Sequence, residues 1–224
     1  MTDTIKLFFD LDGPILDVSE RYFEVYCECL KKTSFIPLSK DNYWNKKRQK
    51  ISEVEILAVA PKTELTNIYT INRKKLIEDP VFLEYDKVWT ALLPTYERLF
   101  HEIPSVLVTL RNKPEHLHQQ LRNLTINSWF CRVLSNPAIE RSEDRWKIKV
   151  ALIKESGLLH DISPRDCLFV GDTETDILAG KNLGMKTAAI GFGNRTDDIL
   201  LKYNPDLLFT TQLEFSKFLK EQYL

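Results

Sequence analysis

Asp10 and Asp12 are two carboxylates placed two residues apart, directly after the apolar run 5–9 and directly before Gly13. A short apolar run reads as a buried strand. On a strand, residues i and i+2 point to the same face, so the pair is delivered together to the strand's C-terminal end. Unpaired buried carboxylates are costly. The arrangement therefore calls for a cation, a reaction, or both; the plain alternative is a surface Asp-x-Asp-Gly turn. A second acidic strand end follows far along the chain, where the apolar run 167–170 leads to Gly171-Asp172, with Asp176 four residues on. Between the two, the apolar run 106–108 ends in Thr109, followed by Leu110, Arg111 and Asn112. Lys147 and Lys149 then stand at the start of a helical stretch.

The elements that carry these residues alternate. From Leu93 onward the pattern predicts helix over 94–101, strand over 106–109, helix over 114–124 and a short strand over 131–134. It continues with helix over 147–156 ended by Gly157, strand over 167–170 and helix over 176–182 closed by Gly184. Strand over 186–190, helix over 196–202 and a last strand over 205–209 complete it. Glycine just past a helix end is the common C-terminal signal. Short apolar strands alternating with helices imply an α/β fold with a doubly wound parallel sheet. Such sheets bind ligands beyond the carboxyl ends of their strands, which is where Asp10, Asp12, Thr109 and Asp172 stand.

Residues 17–90 read differently. Ser19 is a plausible cap for a helix from 20, with Tyr22, Tyr26, Cys29 and Leu30 at helical spacing, ended by Lys31 and Lys32. Pro37 interrupts, 39–50 is polar and basic, and 51–58 is amphipathic with Ser52 as its cap. Segments 65–78 and 81–92 also read as helices. The whole insert is therefore expected to be helical, splitting the chain into a core of 1–16 and 91–224 and an insert of 17–90.

The ordered set Asp10-Leu11-Asp12-Gly13, Thr109, lysine, Gly171-Asp172-x-x-x-Asp176 resembles the haloacid dehalogenase-like (HAD) superfamily, and most closely its small-molecule phosphatase branch with a helical cap, the phosphoglycolate phosphatase-like proteins. The resemblance runs from Ile5 to about Phe209 outside the insert. It implies a Rossmann-type core, a cap closing over the catalytic face, and a Mg2+-dependent phosphatase acting on a small phosphorylated metabolite through an aspartyl-phosphate. Asp10 would be the nucleophile, and Mg2+ would be held by Asp10, Asp172 and the Asp12 backbone carbonyl. Asp176 would be a further ligand or hold a metal-bound water. Asp12 would protonate the leaving alkoxide and then activate water, a role that asks for a raised pKa. An acid at this position separates phosphoryl transfer from the dehalogenase branch. Thr109 would bond the phosphoryl group with help from the backbone at Leu110 and Arg111; for the Arg111 side chain, reaching the substrate and lying solvated remain alternatives. A lysine would balance Asp10 and phosphate. Lys149, followed by Leu152 and Ile153 at +3 and +4, fits the family spacing better than Lys147. The chain departs from the family in lacking Lys-Pro there and in having Pro14 where threonine is commoner. A phosphomutase of the β-phosphoglucomutase kind shares every core motif, and a non-catalytic ligand-binding protein on the same scaffold would be expected to have lost Asp10 or Asp12.

Composition narrows the partners. The chain has 224 residues with 31 basic and 32 acidic side chains, a net charge of −1, which gives no sign of nucleic acid or a membrane surface. No apolar run approaches the about 20 residues of a membrane span. The first residues lack the basic segment and apolar core of a signal peptide. Cys27, Cys29, Cys131 and Cys167 show no metal or redox spacing and read as reduced, mostly buried thiols, so a cytoplasmic monomer or homodimer is expected. In the insert, Lys46-Lys47-Arg48-Gln49-Lys50 follows Tyr43 and Trp44. A solvated helix face is the plain reading; a clamp for an anionic substrate tail is the alternative. The remaining aromatics there (Tyr22, Phe23, Tyr26, Phe35, Tyr69) read mostly as packing. Gly191 and Gly193 read as a plain turn, because no helix with a phosphate-binding fingerprint opens directly after them. His101, His116, His118 and His160 lie away from the strand ends.

Overall fold

Eight strands and eleven α-helices occupy the residues described by the computed structural model, 6–57, 63–135, 144–160 and 162–224. Residues 1–5 and Ala58, named above, lie outside them. The strands are β1 (Leu7–Phe9), β2 (Leu16–Asp17), β3 (Lys87–Val88), β4 (Ser105–Val108), β5 (Arg132–Leu134), β6 (Leu168–Gly171), β7 (Lys186–Ile190) and β8 (Leu207–Phe209). The insert carries α1 (Ser19–Leu30), α2 (Lys40–Arg48), α3 (Glu53–Ile56), α4 (Glu64–Leu76) and α5 (Pro80–Leu83). The core carries α6 (Leu93–Glu102), α7 (Pro114–Asn123), α8 (Arg145–Glu155), α9 (Glu174–Leu183), α10 (Asp197–Leu201) and α11 (Gln212–Tyr223).

The main sheet is entirely parallel in the order β5-β4-β1-β6-β7-β8. With the small β2–β3 pair set aside, this is the dinucleotide-fold order, in which the chain builds one half outward from β1 and then restarts on its other side at β6. The crevice of such a sheet opens between those two strands. Here the backbone N–H of Asp10 donates to the carbonyl of Val170 at 2.9 Å, so the two acidic strand ends are neighbours by construction.

The central strands are apolar on both faces because both faces are covered. Leu7, Phe9, Leu107, Leu168 and Val170 face a cluster built with α6, α7 and α11, while Phe8, Val106, Val108 and Phe169 face α8 and α9. The alternation follows from the two-residue period of a strand. Each buried Phe or Leu contributes about 1.5–3 kcal/mol by leaving water.

The insert has its own core around Val25, Tyr26, Cys29, Leu30, Tyr43 and Tyr69. Tyr26 and Tyr43 stack there with ring centres 4.3 Å apart. Two expectations for it need correction. It is not all helical: the segment 81–92 forms only the short α5 and then β3, which pairs antiparallel with β2. The two connections between insert and core run side by side, and their mutual pairing overrides the helical periodicity. Ser19 is not a cap but the first residue of α1, and Asp17 Oδ1 accepts its backbone N–H at 2.9 Å. As expected of a helical insert, the polar stretch carries a helix, α2 (Lys40–Arg48), capped by Ser39, and the Ser52 cap is present as a full capping box.

The core also contains an element beyond the expected last strand. α11 opens with a capping box between Thr211 and Glu214 and buries Phe215 and Leu219 completely.

Candidate active site

The loop after β1 carries the first two acids. Because β1 ends at Phe9, strand alternation does not govern them, and their carboxylates diverge. Asp10 Oδ1 accepts the Leu11 N–H at 2.8 Å and lies 3.0 Å from Lys149 Nζ. Asp12 turns instead toward two guanidiniums. Arg111 holds both of its oxygens, through Nε at 3.0 Å and Nη2 at 2.6 Å, and Arg21 adds Nη2 at 2.8 Å. The loop is fixed from behind by Trp89, which donates Nε1–H to the Gly13 carbonyl at 2.6 Å, and by Tyr96, which donates its hydroxyl to the Pro14 carbonyl at 2.7 Å.

Asp172 follows β6 and is fully buried. Its Oδ2 accepts from Asn194 Nδ2 at 2.8 Å and from the Asn194 backbone N–H, while Oδ1 is buried with no hydrogen-bond partner among the described residues. Asn194 Nδ2 also lies 3.1 Å from the Asp12 carbonyl. Two glycines make room for this carboxylate. A Cβ on Gly193 would fall 2.3 Å from Asp172 Oδ2, and one on Gly13, whose φ is +107°, would fall 1.8 Å from it. The glycine turn 191–194 is therefore part of the site: it cradles Asp172 through backbone and Asn194 rather than phosphate through a helix end.

Asp176 sits in the first turn of α9 and is engaged at both oxygens. Oδ2 accepts from Thr173 N–H at 3.0 Å and Thr173 Oγ at 2.7 Å, and Oδ1 meets Lys149 Nζ at 2.5 Å. Lys149, from α8, is 1 % exposed and bridges Asp10 and Asp176. Lys147 points away, to Asp144 at 2.6 Å on the surface. Thr109 is buried at the end of β4, and its Oγ accepts the Arg111 N–H at 3.3 Å. Thr109, Leu110 and Arg111 all line the same cavity as Asp10, whose volume is about 710 Å³.

The electrostatics follow from this geometry. Asp10, Asp172 and Asp176 can bring one oxygen each within 4.8 Å of one another, against the single charge of Lys149. Burial pushes Asp10 up to about 7, partly countered by Lys149 and reinforced by Asp176 and Asp12. Burial, then Asp176 and Asp10, push Asp172 well above the ordinary carboxylate value. Three carboxylates and one lysine leave a surplus of two negative charges. With hard oxygen donors and an orphaned Asp172 Oδ1, the residues fit a divalent cation of the Mg2+ type.

Asp12 behaves in the opposite way to the raised pKa expected of it. Burial works against its charge, but Arg111 and Arg21 outweigh burial and hold it well below the ordinary carboxylate range. The alternative of a solvated Arg111 is likewise overturned: its guanidinium is buried on Asp12 and on Asp86, 3.3 Å away.

The basic run of the insert is not simply a solvated face. Lys47 and Lys50 line the cavity, and Arg48 reaches the Gly191 carbonyl of the core. Lys47 pairs with Glu53 at 2.6 Å, and Arg73 lies 3.7 Å from the same oxygen. Both cations stand over the Tyr22 ring, at 5.8 and 5.4 Å. Lys50 meets Glu174 at 2.9 Å, across the cleft, beside Arg195 at 3.1 Å.

Several site residues were not apparent in the sequence. Arg21 did carry a signal, since it stands in line with Val25 and Cys29 on the buried stripe of α1. A charge in that register needs a buried partner. Asp86, Asn194 and Glu78, which accepts the Asn112 and Lys113 N–H groups at 3.0 Å, carried none. Of the cysteines, Cys29 and Cys167 are buried, Cys27 is half-buried and Cys131 is exposed. His116 bonds the Glu78 carbonyl at 2.7 Å, outside the catalytic cluster.

The parallel sheet is a Rossmann-like α/β core with acids at its β1 and β6 ends and a lysine bridging Asp10 and Asp176. Residues 7–190 match the haloacid dehalogenase-like hydrolase family, and the chain belongs to it. Among characterised relatives, the pyrophosphatase PpaX of Bacillus velezensis is 24% identical over 213 residues, 93% of this chain and 94% of its own. A phosphoglycolate phosphatase of Xanthomonas campestris is 30% identical over 138 residues, 56% of this chain and 60% of its own. Among solved structures, a haloacid dehalogenase-like hydrolase of Streptococcus pneumoniae superposes with a TM-score of 0.69 at 19% identity, covering 97% of this chain and 99% of that one. A Thermotoga maritima protein assigned as a β-phosphoglucomutase superposes with a TM-score of 0.69 at 21% identity, covering 98% and 100%.

Proposed function

We propose that this protein is a Mg2+-dependent phosphatase that hydrolyses a small phosphorylated metabolite through an aspartyl-phosphate on Asp10. The observation that carries the reading is the convergence of Asp10, Asp172 and Asp176 on one point, with Lys149 bridging two of them. Asp10 and Asp172, with the Asp12 carbonyl, would hold the ion, and Asp176, whose oxygens already serve Lys149 and Thr173, would hold one of its waters. The bound ion supplies positive charge against the repulsion between a carboxylate and a phosphate dianion.

The chain's own residues do the rest. The Asp10 carboxylate attacks phosphorus as the ester P–O bond breaks. Thr109 Oγ and the backbone after it orient the phosphoryl group, and Lys149 neutralises Asp10 and one phosphoryl oxygen. Turned away from Arg111 and Arg21, which hold it ionised, Asp12 takes up a proton from solvent, gives it to the leaving oxygen, and then takes one from the water that releases phosphate and restores Asp10. Around the site, residues 17–90 act as a cap, with the core in 1–16 and 91–224. Lys47 and Arg73, two cations on one carboxylate facing the same cavity, favour a substrate with a second anionic group. The names of the relatives support the same reaction class.

The test is phosphate release from a panel of phosphorylated metabolites with and without Mg2+, for wild type and Asp10→Asn. The expected result is Mg2+-dependent release that the substitution abolishes. Release that survives it would contradict the reading, and an isomerised sugar phosphate without free phosphate would replace it with a mutase.

A further inference from the structure

Asp86 stands at the seam between α5 and β3, with a side chain 0% exposed. Two buried guanidiniums lie against it: Arg21 Nε at 3.0 Å from Oδ1 and Arg111 Nη2 at 3.3 Å from Oδ2. The same two guanidiniums hold Asp12 on their other side. Gln120 Nε2 donates to Asp86 Oδ2 at 2.7 Å and to the Leu83 carbonyl at 3.0 Å, and Arg21 Nη1 donates to the Ile77 carbonyl at 3.0 Å. The group is a closed quartet of two positive and two negative charges. Arg21 and Asp86 belong to the insert, and Asp12 and Arg111 to the core.

The quartet poses a mechanical problem for the reaction. To serve a leaving group or a water at phosphorus, Asp12 must turn away from Arg21 and Arg111. Two buried cations stripped of their counter-charges would be very unfavourable. Asp86 contacts both guanidiniums through oxygens that Asp12 does not share, so the pair would keep one carboxylate if Asp12 turned.

We propose that Asp86 is a positioning residue for Asp12, acting through Arg21 and Arg111. It rests on the phosphatase reading. In the first chemical step the phosphorus–oxygen bond to the leaving group breaks, the bond to Asp10 forms, and the leaving oxygen takes its proton from Asp12. A change at Asp86 therefore hurts substrates in proportion to their need for that proton. An alkyl phosphate needs it; 4-nitrophenyl phosphate leaves as a stable phenolate and does not.

The experiment is rapid-quench measurement of the first turnover with Mg2+, using 2-phosphoglycolate and 4-nitrophenyl phosphate, in wild type and in Asp86→Asn, which keeps the side-chain shape. The expected result for Asp86→Asn is a first turnover slowed by about 10- to 100-fold on the alkyl phosphate, within the span of general acid catalysis. On the nitrophenyl ester the change should stay within about three-fold, leaving a burst of nitrophenolate before slow steady-state release. Gln120→Met, which loosens Asp86 without removing its charge, should show the same pattern more weakly and provides the test if Asp86→Asn does not fold. Equal slowing on both esters, or no change on either, would overturn the proposal while leaving the phosphatase reading intact. Where 2-phosphoglycolate is not turned over, the alkyl phosphate of the panel released fastest takes its place, and a wild type inactive on every alkyl phosphate of the panel and on the nitrophenyl ester would sink the phosphatase reading and this proposal with it.

Discussion

At the residue scale the site is a problem in charge balance solved at two neighbouring points. Around Asp10, carboxylates outnumber cations, an arrangement that fits a divalent ion. Around Asp12, two guanidiniums meet two carboxylates and the balance is closed. The two acids differ in environment although only Leu11 separates them, because Lys149 reaches one and Arg21 and Arg111 the other. Lys149→Ala should lower kcat at least about 100-fold, an order expected for loss of a preorganised charge in a buried site; Lys147→Ala, at the exposed start of the same helix, should change it less than about two-fold. Steady-state kinetics on one substrate decides between them. The glycines make a second point. A methyl group on Gly193 would overlap the Asp172 carboxylate, so Gly193→Ala should raise the Mg2+ concentration for half-maximal activity by about 10- to 100-fold, as loss of outer-shell support does. A Mg2+ titration with unchanged midpoint would show that the turn is not a cradle.

At the scale of elements, what could be read from the chain depended on whether a segment's structure is decided locally. The apolar strands ending in Asp, Thr and Asp, and the helices closed by Gly157 and Gly184, follow from period and end signals within a few residues. The β2–β3 pair does not, because it exists only where two distant connections meet. Asp86 falls in the same segment, whose periodicity predicts a helix over 81–92, and its partners Arg21 and Arg111 are 65 and 25 positions away along the chain, beyond the reach of any local signal. α11 was legible in principle from Thr211 and Glu214 and went unread beyond the last strand. The insert's ion cluster gives a test at this scale. Burial raises the pKa of Glu53, but Lys47 and Arg73 outweigh burial and hold it below its ordinary 4.5. A depressed carboxylate stabilises the fold above its unfolded value, and that contribution is lost as the pH falls through the folded value. Wild type should therefore lose stability below about pH 4.5 more steeply than Glu53→Gln, which is less stable at neutral pH and lacks this acid limb. Thermal melts from pH 6 to pH 3 check it, and parallel curves would contradict it.

At the scale of the whole molecule, the sheet and the insert divide the labour. The core supplies the acids and the threonine from the ends of β1, β4 and β6 and the start of α9, and the lysine from within α8; the insert supplies Arg21, Lys47 and Arg73 over the same cavity. The contacts between them include polar ones, Arg48 to the Gly191 carbonyl, Lys50 to Glu174 and the buried quartet, and apolar ones, where Tyr22 and Trp44 pack against the core cluster. The core's own integrity rests on full coverage of both sheet faces. Ending the chain at residue 211 would remove Phe215 and Leu219, both fully buried, a loss of about 3–6 kcal/mol at 1.5–3 each. Against a typical total of about 5–15 kcal/mol, urea unfolding should show a largely unfolded or strongly weakened protein.

The central claim, that Asp10 carries the phosphoryl group, is tested most directly by acid quench of a single turnover with a substrate labelled at phosphorus, followed by mass mapping of the labelled peptide. The account predicts transient label on the protein at Asp10, dependent on Mg2+ and absent from Asp10→Asn. Turnover without labelled protein on the time scale of phosphate release, or label that persists in Asp10→Asn, would contradict it.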